Sequence, residues 1–177
     1  MTQRMAVVTG GMGGLGEAIC IKLARMGYKV VTTCSPGNTK REAWLTDMKK
    51  QGFDFKAYEI DVADFDSCQN GVAKIQSECG PIDVLVNNAG ITRDTTFRKM
   101  DKASWDAVMN TNLDSVFNMT KPIIDWQFDR RPAVRTGTRQ FFANNLGRWI
   151  WELKDGFVFY SIMSGKIGAP CLSEFVA

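Results

Sequence analysis

The chain reads as α/β: a doubly wound parallel sheet with helices on both faces, truncated after about five strands. Two observations predict this. Short β-branched runs alternate with amphipathic stretches from residue 1 to about 125. The first run opens straight into a glycine cluster, Thr9-Gly10-Gly11-Met12-Gly13-Gly14-Leu15-Gly16. Repeated strand–helix units of this kind pair their strands in parallel through right-handed crossovers.

The elements follow in order. Met5-Ala6-Val7-Val8 is a buried strand, since a short apolar run bounded by turn residues suits a sheet covered on both faces. Leu15, Ile19, Leu23 and Met26 then recur at helical spacing. Lys29 to Thr33 is the second strand, after the turn glycine Gly27. Lys40 to Gln51 is a charged helix that Gly52 ends. Phe55 to Ile60 is the third strand, and Asp66 caps a helix reaching about Cys79. Gly80-Pro81 breaks the chain before the fourth strand, Asp83 to Asn87. Asp101 to about Asp125 is one long helix with Trp105, Val108, Met109, Leu113, Val116 and Phe117 on its apolar side.

The texture changes after Asp125. Trp126 to Asp155 holds three of the five tryptophans, the run Arg130-Arg131-Pro132 and no clean strand–helix unit. Arg139 to Leu153 is expected as a helix with Phe142, Leu146, Trp149 and Leu153 facing inward. Residues 156–161 hold a fifth strand, Phe157 to Tyr160 at its centre. With no further strand legible after it, that strand is expected to be an exposed edge. The expected division is a dinucleotide-binding part, 1–125, and a divergent tail, 126–177, in the same domain.

Composition narrows the function classes. A chain of 177 residues, 45% hydrophobic, suits one globular domain with a real core. A net charge of +3 from scattered basic residues excludes a nucleic-acid stripe or a polybasic membrane patch. The N-terminus enters a strand with no signal-peptide core, and no apolar run is long enough to span a bilayer. The five cysteines are odd in number and form no C-x-x-C pair, so a reduced, cytoplasmic setting is expected. Histidine is absent, which excludes His-based triads and His-ligated zinc; no metal site is expected.

A strand, a Gly-rich turn and a helix together aim helix N–H groups and the positive dipole end at an anion, usually a dinucleotide pyrophosphate. Glycine is required where the backbone takes positive φ or approaches phosphate with no Cβ between. The spacing of Thr9, Gly10, Gly14 and Gly16, together with Asn87-Asn88-Ala89-Gly90 after the fourth strand, resembles the short-chain dehydrogenase/reductase family and its Rossmann-like fold. Residues 1–125 resemble one branch, the bacterial NADPH-dependent acetoacetyl-CoA reductases of polyhydroxybutyrate synthesis. The matching stretches include Val8 to Gly16, Asn87 to Asp94, Phe97 to Met100 and Trp105 to Val108. The resemblance implies reduction of a 3-oxoacyl-CoA to a (3R)-3-hydroxyacyl-CoA by an oxidoreductase, and assembly as a homotetramer. The small-molecule acyl-CoA is then the partner, with neither nucleic acid nor membrane.

The resemblance also assigns residues. Thr9, Gly10, Met12, Gly13, Gly14, Leu15 and Gly16 form the cofactor turn. Asp61 and Val62 meet the adenine, unless Asp61 only caps a helix. Asn88, Ala89, Gly90, Ile91 and Thr92 line the ribose and nicotinamide side, and Asp94 reaches the substrate or is a solvated loop charge. Asn112 matches the family asparagine that holds a water in the proton relay; a polar side chain there could equally satisfy backbone groups. The cofactor is read as NADPH on physical grounds. An NAD site usually has a carboxylate about 20 residues past the turn. Here the second strand ends Thr33-Cys34-Ser35, and Lys40 and Arg41 follow. With Ser35, these cations could pair a 2′-phosphate, or they are ordinary solvated helix-start charges.

The catalytic end departs from the family. Reduction of a carbonyl needs a proton donor, and the family uses a Tyr with a Lys four residues on. Neither Tyr28, Tyr58 nor Tyr160 is followed by that lysine. Aligning Ser164-Gly165 and Gly168 to Pro170 with the family puts Ile162 at the serine position and Phe175 at the tyrosine position. Ser161 or Ser164 is the catalytic serine candidate if the register slips by one or two. Two other readings therefore stay open: a dinucleotide-binding pseudoenzyme, and a non-functional truncated or chimeric product.

Overall fold

The computed structural model describes residues 3–130 and the strand segments 138–139, 148–153 and 157–162, with side chains described from 3 to 126. β1 (Met5–Val8), β2 (Lys29–Cys34), β3 (Lys56–Glu59) and β4 (Val84–Asn87) alternate with α1 (Gly14–Arg25), α2 (Arg41–Lys50) and α3 (Phe65–Cys79). α4 (Lys102–Met109) and α5 (Ser115–Arg130) follow, then β5 (Thr138–Arg139), β6 (Arg148–Leu153) and β7 (Phe157–Ile162). The sheet order is β3-β2-β1-β4-β7-β6-β5. β3, β2, β1, β4 and β7 pair in parallel in that order, and β6 pairs antiparallel with both β7 and β5.

The pleat sends alternate side chains to opposite faces, and each face has its own core. Val7, Val31, Ile60 and Leu85 pack with Val72 and Ile75 of α3 and with Met119 and Ile123 of α5. Ala6, Val8, Val30 and Val86 pack on the other face with Ile19 and Cys20 of α1 and Met48 of α2. This is the doubly wound arrangement expected. The chain leaves β1 for β2 and β3 on one side, then returns to β4 on the other. Such a reversal opens a crevice at the carboxyl ends of the strands, the usual ligand position in this architecture.

Several sequence expectations are corrected. The segment expected as a helix from Arg139 to Leu153 contains β6, whose Arg148–Leu153 backbone pairs antiparallel with β7 from Arg148↔Ile162 to Leu153↔Phe157. Its run Trp149-Ile150-Trp151 is β-branched and aromatic, and those residues suit a pleated surface better than a helix. Pairing with β6 also means that β7 is not an edge, so the sheet exceeds five strands. The cap of α3 is Asp64, which accepts from Ser67 N at 2.6 Å, and Asp66 falls inside the first turn. The long helix is two helices joined by a π-turn, Asn110–Asp114. Trp105 and Phe117 are exposed; Met119 and Ile123 carry the buried face instead. Leu15 and Met26 of α1 are likewise exposed, and Ile19 and Cys20 hold it to the sheet. Phe142, Leu146, Lys166, Cys171 and Phe175 lie outside the described residues.

Candidate functional site

Parallel pairing of Val8 with Thr32 and with Val86 brings three strand ends to one edge. Thr9 ties two of them together. Its Oγ1 accepts from the N–H groups of Asn88 and Ala89, each at 2.9 Å, and lies 3.4 Å from Val86 O. Asn88 Nδ2 returns bonds to Thr9 O at 3.0 Å and Gly10 O at 3.2 Å. The two glycine-bearing motifs of the sequence are thus one hydrogen-bonded unit.

The turn itself is shaped by sterics. Gly10 takes φ +63°, and a Cβ there would meet Ala89 Cα at 3.0 Å. A Cβ on Gly16 would collide with Gly10 O and stand 2.7 Å from Asn88 Nδ2. Gly14 differs: a Cβ there would meet nothing within 4 Å. Gly13 is the N-cap of α1 and offers no side-chain cap; the first ladder bond runs from Glu17 N to Gly13 O at 2.7 Å. The N–H groups of Gly14, Leu15 and Gly16 precede that ladder and need partners from outside the helix. An uncapped helix start with open space before it fits a phosphate group. Leu15 is 52% exposed beside this opening, and Met12 is half-buried.

One residue behind the turn, Thr32, is not marked by any sequence motif as part of the site. Thr32 is fully buried; its Oγ1 accepts from Gly11 N at 2.8 Å and donates to Val8 O at 2.9 Å. Gly11 is close-packed on it, for a Cβ would strike Thr32 Oγ1 and sit 2.7 Å from Cys20 Sγ. The signal was a pair of hydroxyls, Thr32-Thr33, inside an apolar strand. Burial pushes the Cys20 thiol up to about 12, with the Thr32 hydroxyl opposing. On the outer side, Trp44 Nε1 donates to Glu17 Oε2 at 2.7 Å, linking α2 to the first turn of α1.

Past the end of β2, Ser35 and Lys40 are exposed. Arg41 Nη1 lies 2.9 Å from Glu59 Oε1, and its Nε lies 3.0 Å from Glu42 Oε1. Asp61 is exposed and its Oδ1 accepts from Ala63 N at 3.0 Å, a local turn that leaves the second oxygen open to a ligand. Val62 buries its side chain in the core, while its carbonyl accepts from Asn118 Nδ2 at 3.0 Å.

Beyond β4, Gly90, Thr92 and Asp94 are exposed and Ile91 is half-buried. Asn112, inside the π-turn, clamps that loop: Oδ1 accepts from Ile91 N at 2.8 Å and Nδ2 donates to Ile91 O at 2.9 Å. The side chain therefore satisfies the backbone groups of Ile91. π-turns of this kind are frequent at functional sites. The β7 register sets Ser161 opposite Asn87. Asn87 is buried, and among the described side chains neither of its amide atoms has a partner. Among the described residues, no acidic, Cys or His cluster could hold a metal ion, and no helix is long and apolar enough to cross a membrane.

The comparisons agree with this geometry. Residues 4–132 match the family model "short chain dehydrogenase". An acetoacetyl-CoA reductase of Cupriavidus necator is 58% identical over 73% of this chain and 53% of its own. A 3-oxoacyl-[acyl-carrier-protein] reductase of Staphylococcus aureus is 41% identical over 98% of this chain and 62% of its own. That similarity is not confined to residues 1–125. Among solved structures, an actinorhodin polyketide ketoreductase with NADPH superposes with TM-score 0.67 at 28% identity, over 72% of this chain and 49% of that one. The chain thus spans only part of each of these proteins. Its relatives are oxidoreductases, and it belongs to the short-chain dehydrogenase family.

Proposed function

We propose that this protein binds NADPH across the carboxyl ends of β1, β2 and β4 and reduces a 3-oxoacyl-CoA of the acetoacetyl-CoA type to the (3R)-3-hydroxyacyl-CoA. The observation that carries it is the uncapped start of α1, open at Gly14 and locked to the Asn88 loop through Thr9. A bound nicotinamide dinucleotide supplies the hydride. Gly13 to Gly16 would hold its pyrophosphate, with Thr9, Gly10, Met12 and Leu15 shaping the turn. Ser35, Lys40 and Arg41 would take the 2′-phosphate, Asp61 and Val62 the adenine, and Asn88 to Thr92 the nicotinamide ribose. Asp94 faces the substrate side, and Asn112 positions the loop through Ile91. Residues 1–125 form the cofactor part, and the rest of the chain completes the same domain. The acyl-CoA preference is supported by the Cupriavidus necator relative, and a homotetramer follows from the same resemblance.

One observation favours a second reading, in which the chain binds NADPH without turnover. Within these 177 residues no tyrosine has a lysine four places on. The Tyr58 hydroxyl is no substitute donor: it is bonded to Glu78 Oε2 at 2.7 Å, and burial, with Cys79 and Glu78 beside it, raises its pKa. NADPH absorbance followed with acetoacetyl-CoA separates the readings. Substrate-dependent oxidation supports the reductase. Saturable NADPH binding without oxidation supports the binding-only protein. Folded protein with no saturable binding removes both.

A further inference from the structure

We propose that Glu59 is a specificity-determining residue that moderates the preference for NADPH by acting as the counter-ion of Arg41; this rests on the NADPH reading above. The end of β2 carries no acid, yet the register Cys34↔Glu59 brings a carboxylate to the same corner from β3. Glu59 Oε1 is 2.9 Å from Arg41 Nη1, and Gly37 N points to Glu59 Oε2 at 3.4 Å. Glu59 is therefore held against the loop between β2 and α2, where the ribose 2′ position lies in this architecture. Glu42 also contacts Arg41, but it is 77% exposed, on the same helix and next in sequence. Glu59 is the acid delivered from a separate strand.

The consequence is electrostatic. A guanidinium has donors to spare, so Arg41 can keep Glu59 and still offer N–H groups to a phosphate. The arriving 2′-phosphate then stands near a carboxylate of like charge, and its attraction to Arg41 is partly cancelled. A ribose 2′-OH carries no charge and can donate to a carboxylate. Glu59 thus weakens NADPH and leaves NADH untouched or favoured. The pair is half-exposed, so the effect is moderate and salt-dependent.

The test is fluorescence titration of the full chain with NADPH and with NADH. Glu59→Gln keeps an oxygen for Arg41 and removes the charge. The ratio of Kd for NADH to Kd for NADPH is expected to rise by about three- to tenfold, mainly through tighter NADPH, and the rise shrinks in high salt. Arg41→Ala is the companion variant and weakens NADPH alone. A Glu59→Gln ratio that is unchanged or lower, with Arg41→Ala still weakening NADPH, overturns the role of Glu59. An Arg41→Ala variant that binds both cofactors as before overturns the NADPH reading itself. A thermal melt checks that each variant is folded, and Glu59→Lys repeats the test with the opposite charge and a larger expected rise.

Discussion

Alanine at Gly16 and alanine at Gly14 add the same methyl group to the same turn, and the structure separates their consequences. At Gly16 the new Cβ runs into Gly10 O, Gly11 Cα and Asn88 Nδ2. The first two are backbone atoms of a turn fixed by Thr32 and Thr33, so they cannot yield cheaply. Overpacking of this kind costs about 1–3 kcal/mol. For a domain of this size that lowers the melting temperature by about 3–10 °C. At Gly14 the Cβ enters open space, and the fold should change by less than about 0.5 kcal/mol. The methyl group then stands before the helix start, where a pyrophosphate must approach. NADPH is expected to bind at least about tenfold more weakly, a loss of about 1.4 kcal/mol. Urea unfolding and NADPH fluorescence titration on both variants read the two effects separately. Gly14→Ala with native affinity would refute the placement of the pyrophosphate. Gly16→Ala with native stability would refute the packing account.

Other perturbations follow from the same contacts. Thr32→Val keeps the shape but strands Gly11 N and Val8 O, and should cost about 1–3 kcal/mol in urea unfolding, with weaker NADPH binding. Asn112→Ala removes both bonds to Ile91, and hydrogen exchange at the Ile91 amide should speed up while β1 amides stay protected. The Cys20 thiol is raised from 9.0 to about 12 chiefly by burial. Its folded pKa exceeds the unfolded one, so its contribution is complete below the unfolded value and is lost as pH rises towards the folded value. Stability should fall by about 1.4 kcal/mol per pH unit in that alkaline window for this thiol, and Cys20→Ala should lessen the slope by that amount while Cys68, pushed up to about 12 by the same burial, keeps its own share. An unchanged slope in Cys20→Ala would show that the thiol is not the source.

The parts of the fold that local chemistry dictates were readable from the sequence. β1, β2 and β4 are apolar runs with turn residues at their ends, and the structure keeps them within a residue of the expected bounds. The glycine cluster was readable because positive φ and close approach leave few alternatives to glycine. What failed depended on distant partners. β6 is defined by its pairing with β7, and nothing in residues 148–153 alone separates strand from an apolar helix face. The π-turn between α4 and α5 has no local sequence mark, and the partner of Asn112 within it, Ile91, is set by the fold. Thr32 looked like an ordinary strand residue until its hydroxyl met Gly11. No acid follows Thr33 in sequence, yet β3 brings Glu59 to that corner, and that pairing is set by the sheet rather than by local sequence.

The central claim, a nicotinamide dinucleotide site at the carboxyl ends of β1, β2 and β4, is tested most directly by NADPH fluorescence titration of the intact chain. Saturable one-to-one enhancement, weakened by Gly14→Ala without loss of folded structure, is the predicted result. A folded chain showing no saturable change, or one whose binding ignores Gly14→Ala, would contradict it.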